Sequence, residues 1–273
     1  MRAEPVFVKL GGSVITDKAR AETPRPAVIA RLAAEVAAAR AAGPERHLLL
    51  GHGSGSFGHV AARRYGTRQG VGDAAGWAGF ARVAAAAARL NRLVVDALLA
   101  AGVPAWSLQP SASARCRGGE IEWLETEPAE TALAHGLVPL VYGDVALDSA
   151  QGATIISTEQ IFHYLARRLH PARLILVGRV HGIFEADPLG NPAARPVPRV
   201  SAGNWDEVRA LLGGSHATDV TGGMLAKVEE MVALARELPG LTVHLISGEQ
   251  PGALQAALGD APDQVGGTLI RWP

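Results

Sequence analysis

The 273-residue chain holds a single cysteine, Cys116. No disulfide can form within it, and a lone thiol without chemical context reads as structural, in keeping with a reducing, cytoplasmic location. Lysine is almost as scarce: of 26 basic residues only Lys9, Lys18 and Lys227 are lysine, the rest being arginine. Net charge is missing too, since 26 basic residues face 26 acidic ones. No global field therefore draws the chain to nucleic acid or an anionic membrane, and any anion site must be local. No uncharged apolar run is long enough to span a bilayer. The N-terminus, Met1-Arg2-Ala3-Glu4-Pro5 and then an apolar strand, lacks the apolar stretch and cleavage site of a signal peptide. The dipeptide Gly-Lys occurs nowhere, which removes a Walker A loop. There is no zinc-type Cys/His cluster, and Gly53-Ser54-Gly55 is too short a match for a hydrolase nucleophile elbow.

What is present is an apolar majority interrupted by glycine. Hydrophobic residues make up 48% and charged residues 19% of the chain, enough for a sizeable core and against disorder. The length suits one large α/β domain, or two lobes sharing a sheet. Apolar patterning and Gly/Pro punctuation predict strands over 5–10, 47–50, 103–108, 137–142, 173–177, 241–247 and 267–272. They predict helices over 26–42, 77–101, 127–135, 158–169, 205–212, 222–238 and 251–258, a hairpin over 115–124 and a loop over 187–198. Alternating strands and helices imply a mainly parallel central sheet covered on both faces, a three-layer αβα sandwich. A soft lobe boundary falls near 169–173.

Four polar or glycine-rich segments follow strands or open helices, where α/β sheets collect ligands and helix N-termini offer unpaired N–H groups to phosphate. The first is Lys9-Leu10-Gly11-Gly12-Ser13 with Lys18 just beyond. Glycine lets backbone approach phosphate oxygens closely, and lysine is a compact point charge where arginine is a broad fork. That all three scarce lysines lie in or beside glycine-rich segments favours phosphate over a plain turn. The second segment, Gly53 to His59, is formally G-x-G-x-x-G. It does not open the first βαβ unit, so it reads as a second anion cradle with His59 as a charge-assisted donor rather than as a dinucleotide fingerprint. The third runs from Asp219 to Lys227. Asp219 or Thr221 can cap a helix begun by Gly222-Gly223, with Lys227 one turn in. The fourth set is Tyr142-Gly143-Asp144, Asp148 and Ser157-Thr158-Glu159, where one carboxylate is expected to orient the lysines or reach Mg²⁺ and the others to cap helices.

In order and spacing, Lys9 to Ser13, Gly53 to His59, Tyr142-Gly143-Asp144 and Asp219 to Lys227 resemble the amino acid kinase superfamily along nearly the whole chain. The run from Lys9 to Lys18, with Gly55-Ser56-Phe57-Gly58-His59, is similar to the isopentenyl phosphate kinases within it. Fosfomycin kinases share the histidine motif and are the alternative. The resemblance implies the amino acid kinase fold as one domain, 1–273, with an acceptor-binding lobe over 1–170 and a nucleotide-binding lobe over 171–273. It implies ATP-dependent phosphorylation of isopentenyl phosphate in isoprenoid biosynthesis, with Mg²⁺, as a cytoplasmic homodimer that binds a small phosphate and neither nucleic acid nor membrane. By the same resemblance Lys9, Lys18, His59 and Glu159 are catalytic. Lys9, Gly11, Gly12, Ser13, Gly55, Gly178, Arg179, Phe184, Pro188, Gly223 and Lys227 meet ATP. Ser54, Gly55, His59, Phe80 and Thr158 meet the acceptor, and no side chain is a dedicated metal ligand. An apolar slot for the prenyl tail is expected on the helix carrying Phe80, Val83 and the alanines 84–88. Two segments depart from the family pattern: Ser157-Thr158-Glu159 stands for Ser-Gly-Asp, and Gly178-Arg179-Val180-His181-Gly182 for Thr-Asp-Val-Asp-Gly.

Overall fold

Strand β1 (Val6–Leu10) reads Val-Phe-Val-Lys-Leu, and alternate side chains of a strand leave opposite faces. In the computed structural model, which describes residues 4–43, 46–58, 65–186, 188, 190, 191, 193–214 and 223–273, both faces are covered. Val6, Val8 and Leu10 pack into one apolar cluster with helices α2 (Pro26–Ala42) and α3 (Ala74–Ala100). Phe7 enters a second cluster on the other face. That face is built with helices α4 (Glu127–Ala134), α5 (Thr158–Leu169), α6 (Trp205–Gly214) and α7 (Gly223–Glu237). Two shorter helices are α1 (Gly12–Ile15) and α8 (Ala253–Ala257). Two buried sheet faces under two helical layers is the predicted three-layer arrangement. It also settles where Lys9 goes: to the Phe7 face.

The central sheet has eight strands. The remaining seven are β2 (Leu48–His52), β3 (Ala105–Ser107), β6 (Val138–Tyr142), β9 (Arg173–Gly178), β12 (Arg199–Val200), β13 (Thr242–Ser247) and β14 (Thr268–Arg271), in the order β12-β14-β13-β9-β1-β2-β6-β3. From β13 across to β3 every neighbouring pair is parallel, and only β14 runs antiparallel to β13. Residues before 170 supply β1, β2, β6 and β3, and later residues supply the other half, so the two halves join at the β1–β9 pair. Among the described residues no helix is long and apolar enough to cross a membrane.

Helix boundaries follow local chemistry. Proline at the first position starts α2, since its missing N–H has no helical partner there. The Asp73 carboxylate caps α3 by accepting the Gly76 N–H at 2.7 Å. Ser157 and Gln160 form a reciprocal capping box at the start of α5.

Two parts of the sequence reading are corrected. Asp144 and Asp148 lie not in turns but at the ends of strand β7 (Asp144–Asp148), which pairs with β8 (Gly152–Ile156) as a hairpin. With β4 (Arg115–Arg117) and β5 (Glu120–Trp123), the hairpin predicted over 115–124, it forms a four-stranded sheet. Both carboxylates are buried. Asp148 accepts the N–H groups of Gly118, Gly119, Ala150 and Gln151 and ties two turns together. Asp144 accepts from the Ser111 N–H. The loop predicted over 187–198 is likewise not structureless to its end, because β11 (Pro196–Val197) pairs with β10 (Ile183–Phe184).

Candidate active site

Lys9 is the penultimate residue of β1, on the face that meets α5 and α7. There Glu159, in the first turn of α5, pairs with it through a direct ammonium–carboxylate contact. A helix N-terminus favours a carboxylate at that place. The side chains are only 12% and 9% exposed, so solvent screens the pair weakly. Burial alone would raise the Glu159 carboxyl. The charge and hydrogen bond of Lys9, and then the charge of Lys227, overcome it and hold the group below its ordinary value. Glu230, one turn beyond Lys227 on α7, goes the other way. Burial first, then the charge of Glu159, push it up to about 7 against the pull of Lys9. Two of the three scarce lysines therefore act on one carboxylate from opposite halves of the sheet.

The first two glycine segments are built against each other. A Cβ at Gly12 would stand 2.7 Å from the Gly55 Cα, and one at Gly55, where φ is +50°, 2.7 Å from the Gly12 carbonyl oxygen. These glycines are thus required by loop-to-loop contact as well as by any ligand. Thr16 pins the two loops: its hydroxyl donates to the Gly12 carbonyl at 2.6 Å and accepts the Ser56 N–H at 3.0 Å. Ser56 in turn receives the Glu22 N–H on its carbonyl at 3.3 Å and the Thr23 N–H on its hydroxyl at 3.2 Å. The turn carrying exposed Lys18 is thereby held beside the second loop. The N–H groups of Gly12, Ser13, Ser54 and Gly55 have no hydrogen-bond partner among the described residues. Four such donors around two interlocked loops make an anion-binding surface.

His59, Asp219, Thr221 and Gly222 lie outside the described residues. Gly223 is the first residue of α7, and Lys227 is half-buried on that helix. Gly178 ends β9, with its carbonyl accepting the Gly248 N–H at 2.7 Å. Arg179 is exposed, its Nε 3.9 Å from the Glu249 carboxylate. Arg25 clasps that same carboxylate with two bonds of 2.6 and 2.9 Å. In the departing segment after Gly178, His181 accepts the Ser247 N–H on Nδ1 at 3.1 Å. Phe184 lies in β10, and Pro188 follows in the segment between β10 and β11.

Several residues expected on the acceptor side, and the carboxylates beside them, have defined surroundings. Thr158 is fully buried and donates its hydroxyl to the His52 carbonyl at 2.7 Å, holding backbone beside the second loop. The alanine run 84–88 is largely packing surface: Ala86 and Ala87 are buried, Ala86 within the cluster shared with α2, while Ala85 faces solvent. Phe80 is half-buried, edge-to-face with Trp77 at 5.6 Å. Asp144 and Asp148 bond to backbone and to no lysine. Of the polar-turn carboxylates, Glu159 alone is paired with one. Among the described residues no group of three or more His, Cys, Asp or Glu side chains is placed to hold a metal ion. Sequence reasoning missed Thr16 and Glu230. Spacing from Lys227 along one helix face was the only signal for Glu230, and Thr16 gave none.

Known proteins match this chain over almost its full length. A family model described as the amino acid kinase family matches residues 4–247. The isopentenyl phosphate kinase of Methanothermobacter thermautotrophicus is 36% identical over 275 residues, covering 97% of this chain and 98% of its own. That of Haloferax volcanii is 38% identical over 272 residues, with 97% and 98% covered. Among solved structures, an X-ray structure of isopentenyl phosphate kinase superposes with a TM-score of 0.80 at 33% identity, covering 97% of this chain and 99% of that one.

Proposed function

The chain belongs to the amino acid kinase family and is a kinase, and from that premise we propose that it phosphorylates isopentenyl phosphate with ATP. The products are isopentenyl diphosphate and ADP. A phosphate oxygen of the acceptor bonds to the γ-phosphorus, and the bond to the bridging oxygen breaks with its electron pair leaving on ADP. The observation that carries this reading is the buried Lys9–Glu159 pair, which also feels the charge of Lys227, beside two interlocked loops whose N–H groups have no partner among the described residues. Phosphoryl transfer needs positioning and charge stabilisation more than covalent help. The acceptor phosphate has a second pKa of about 6, so it is already ionised at neutral pH and needs no general base. What must be overcome is anion repulsion, roughly 4 kcal/mol for two unit charges 4 Å apart at an effective dielectric of 20.

In this reading Lys9 and the Gly11-Gly12-Ser13 backbone hold the ATP phosphates, and Lys227 and Gly223 grip their outer end. Gly55, Gly178, Arg179, Phe184 and Pro188 border the nucleotide. Lys18 stabilises the phosphoryl group in flight. Ser54, Gly55 and His59 bind the acceptor phosphate, with Phe80 toward the tail, and Glu159 orients Lys9. The acceptor occupies the half built by residues 1–170, and the nucleotide the half built by 171–273. Mg²⁺, implied by the family resemblance, would be held mainly by the nucleotide phosphates and water, as is usual for this ion at phosphoryl-transfer sites. A homodimer in the cytoplasm, serving isoprenoid synthesis, follows from the family resemblance. ADP release measured with isopentenyl phosphate, dimethylallyl phosphate and fosfomycin tests the reading. Turnover of isopentenyl phosphate is the expected result, and turnover of fosfomycin alone would overturn it.

A further inference from the structure

His52 ends β2 immediately before the second glycine loop, fully buried and stacked on Tyr142 with ring centroids 5.6 Å apart. Ser107, on edge strand β3, donates its hydroxyl to the Asn91 carboxamide oxygen at 2.5 Å. That leaves the Asn91 NH₂ facing His52 Nε2 at 3.3 Å. An amide NH₂ only donates, so Nε2 must accept and the ring proton sits on Nδ1, which donates to the Gly53 carbonyl at 3.1 Å. The flanking backbone is pinned as well. The His52 carbonyl accepts from Thr158 and from the Gly143 N–H, and the Gly53 N–H donates to the Leu10 carbonyl at 3.0 Å.

We propose that His52 is a positioning residue of this kinase. Its imidazole, oriented by Ser107 through Asn91, turns the Gly53 carbonyl into the interior and so aims the Ser54 N–H outward at the acceptor phosphate. The peptide is trans and planar, so its N–H points opposite to its C=O. The Ser54 N–H has no partner among the described residues. The chain of donors works only with a neutral ring. Burial first, with a further push from the Lys9 charge and against the Gly53 bond, lowers the His52 pKa to about 4. The orienting groups come from α3 and β3, elements with no part in the glycine loops, so the loop geometry is set from beneath. The acceptor as target rests on the function proposed above.

Steady-state kinetics and ¹⁵N NMR on the full chain test this. Gln at 52 can reach Asn91 but not the Gly53 carbonyl, whereas Asn places its amide nitrogen near the Nδ1 position. His52→Gln should raise the KM for isopentenyl phosphate at least tenfold with the KM for ATP within twofold. His52→Asn should recover most of the loss. The wild-type spectrum at pH 7 should show Nδ1 protonated and Nε2 bare. The reverse tautomer, KM values for both substrates unchanged in folded His52→Gln, or His52→Asn no better than His52→Gln would each overturn the role. Should His52→Gln not fold, Asn91→Leu removes the orienting donor alone. It should raise the acceptor KM severalfold and mix the tautomers, and a single retained Nδ1–H tautomer with unchanged KM would overturn the proposal. A rise confined to the KM for ATP, rescued by His52→Asn, would keep the positioning role and sink the acceptor reading, as would an unchanged acceptor KM in His59→Ala.

Discussion

Two ion-pair systems bridge distant parts of the chain near the carboxyl ends of the strands, and they differ in depth. Lys9–Glu159 lies inside, with both partners close to fully buried, while Arg25–Glu249–Arg179 sits on the rim with Arg25 33% and Glu249 36% exposed. The rim set is larger and has the better bidentate geometry. Its charges remain in high dielectric, where an ion pair contributes little and salt screens it. The inner pair is felt farther away: Lys227 acts on Glu159, and Glu159 shifts Glu230. Depth, not the number of contacts, decides which charges set the site's electrostatics.

The contrast can be broken experimentally. Glu159→Ala strands a buried ammonium and should lower unfolding free energy by about 3–5 kcal/mol in urea titrations. A loss no larger than that of a rim variant would erase the distinction. Its pH signature is separate. The Glu159 carboxyl is depressed below its ordinary 4.5, so its contribution is present above that value and disappears as pH falls through the folded one. Acidification below pH 4.5 should therefore destabilise the wild type more steeply than Glu159→Gln.

Thr16→Val removes the hydroxyl joining the two loops and should cost about 1–3 kcal/mol, because it leaves the buried Ser56 N–H unpaired. Thr16→Ser should restore most of it, and equal losses in the two variants would mean that packing, not the hydrogen bonds, holds the loops. Glu230 is raised to about 7. The folded state then binds its proton more tightly than the unfolded chain, and stability falls as pH rises from about 4.5 to 7. Glu230→Gln should flatten that slope in thermal melts and stabilise the protein at pH 8 by about 1–2 kcal/mol, allowing for its partial exposure. An unchanged slope would remove Glu230 from the buried cluster. The smallest effect belongs to the rim: Glu249→Ala should cost about 0.2–1 kcal/mol and nothing in 1 M salt. A loss above 2 kcal/mol that survives salt would show the rim acting like the core.

Most strands and helices were readable because glycine and proline mark their ends and apolar residues keep a local period. Helix α2 starts at Pro26 and stops before Gly43 as its punctuation says. The β7–β8 hairpin escaped because Asp144 and Asp148, polar residues of the turn-forming kind, are buried as acceptors for backbone N–H groups contributed by turns distant in sequence. The bond from the Thr158 hydroxyl to a carbonyl of β2 was equally out of reach of local patterning. Lys9 was legible as a site residue through its rarity and its place after an apolar strand. For its partner the sequence offered several carboxylates, and only the fold chose Glu159, 150 positions away.

By itself, then, the amino-acid order determined where the chain is helix, strand or glycine turn, and which scarce cations stand beside those turns. Those properties depend on near neighbours. Only the folded molecule decided that Lys9 pairs with Glu159 within reach of the Lys227 charge, that Thr16 locks two loops, and that His52 carries its proton on Nδ1. Each of these requires groups from separate elements to meet in a volume closed to water, where unpaired charges and hydrogen-bonding groups must find one another.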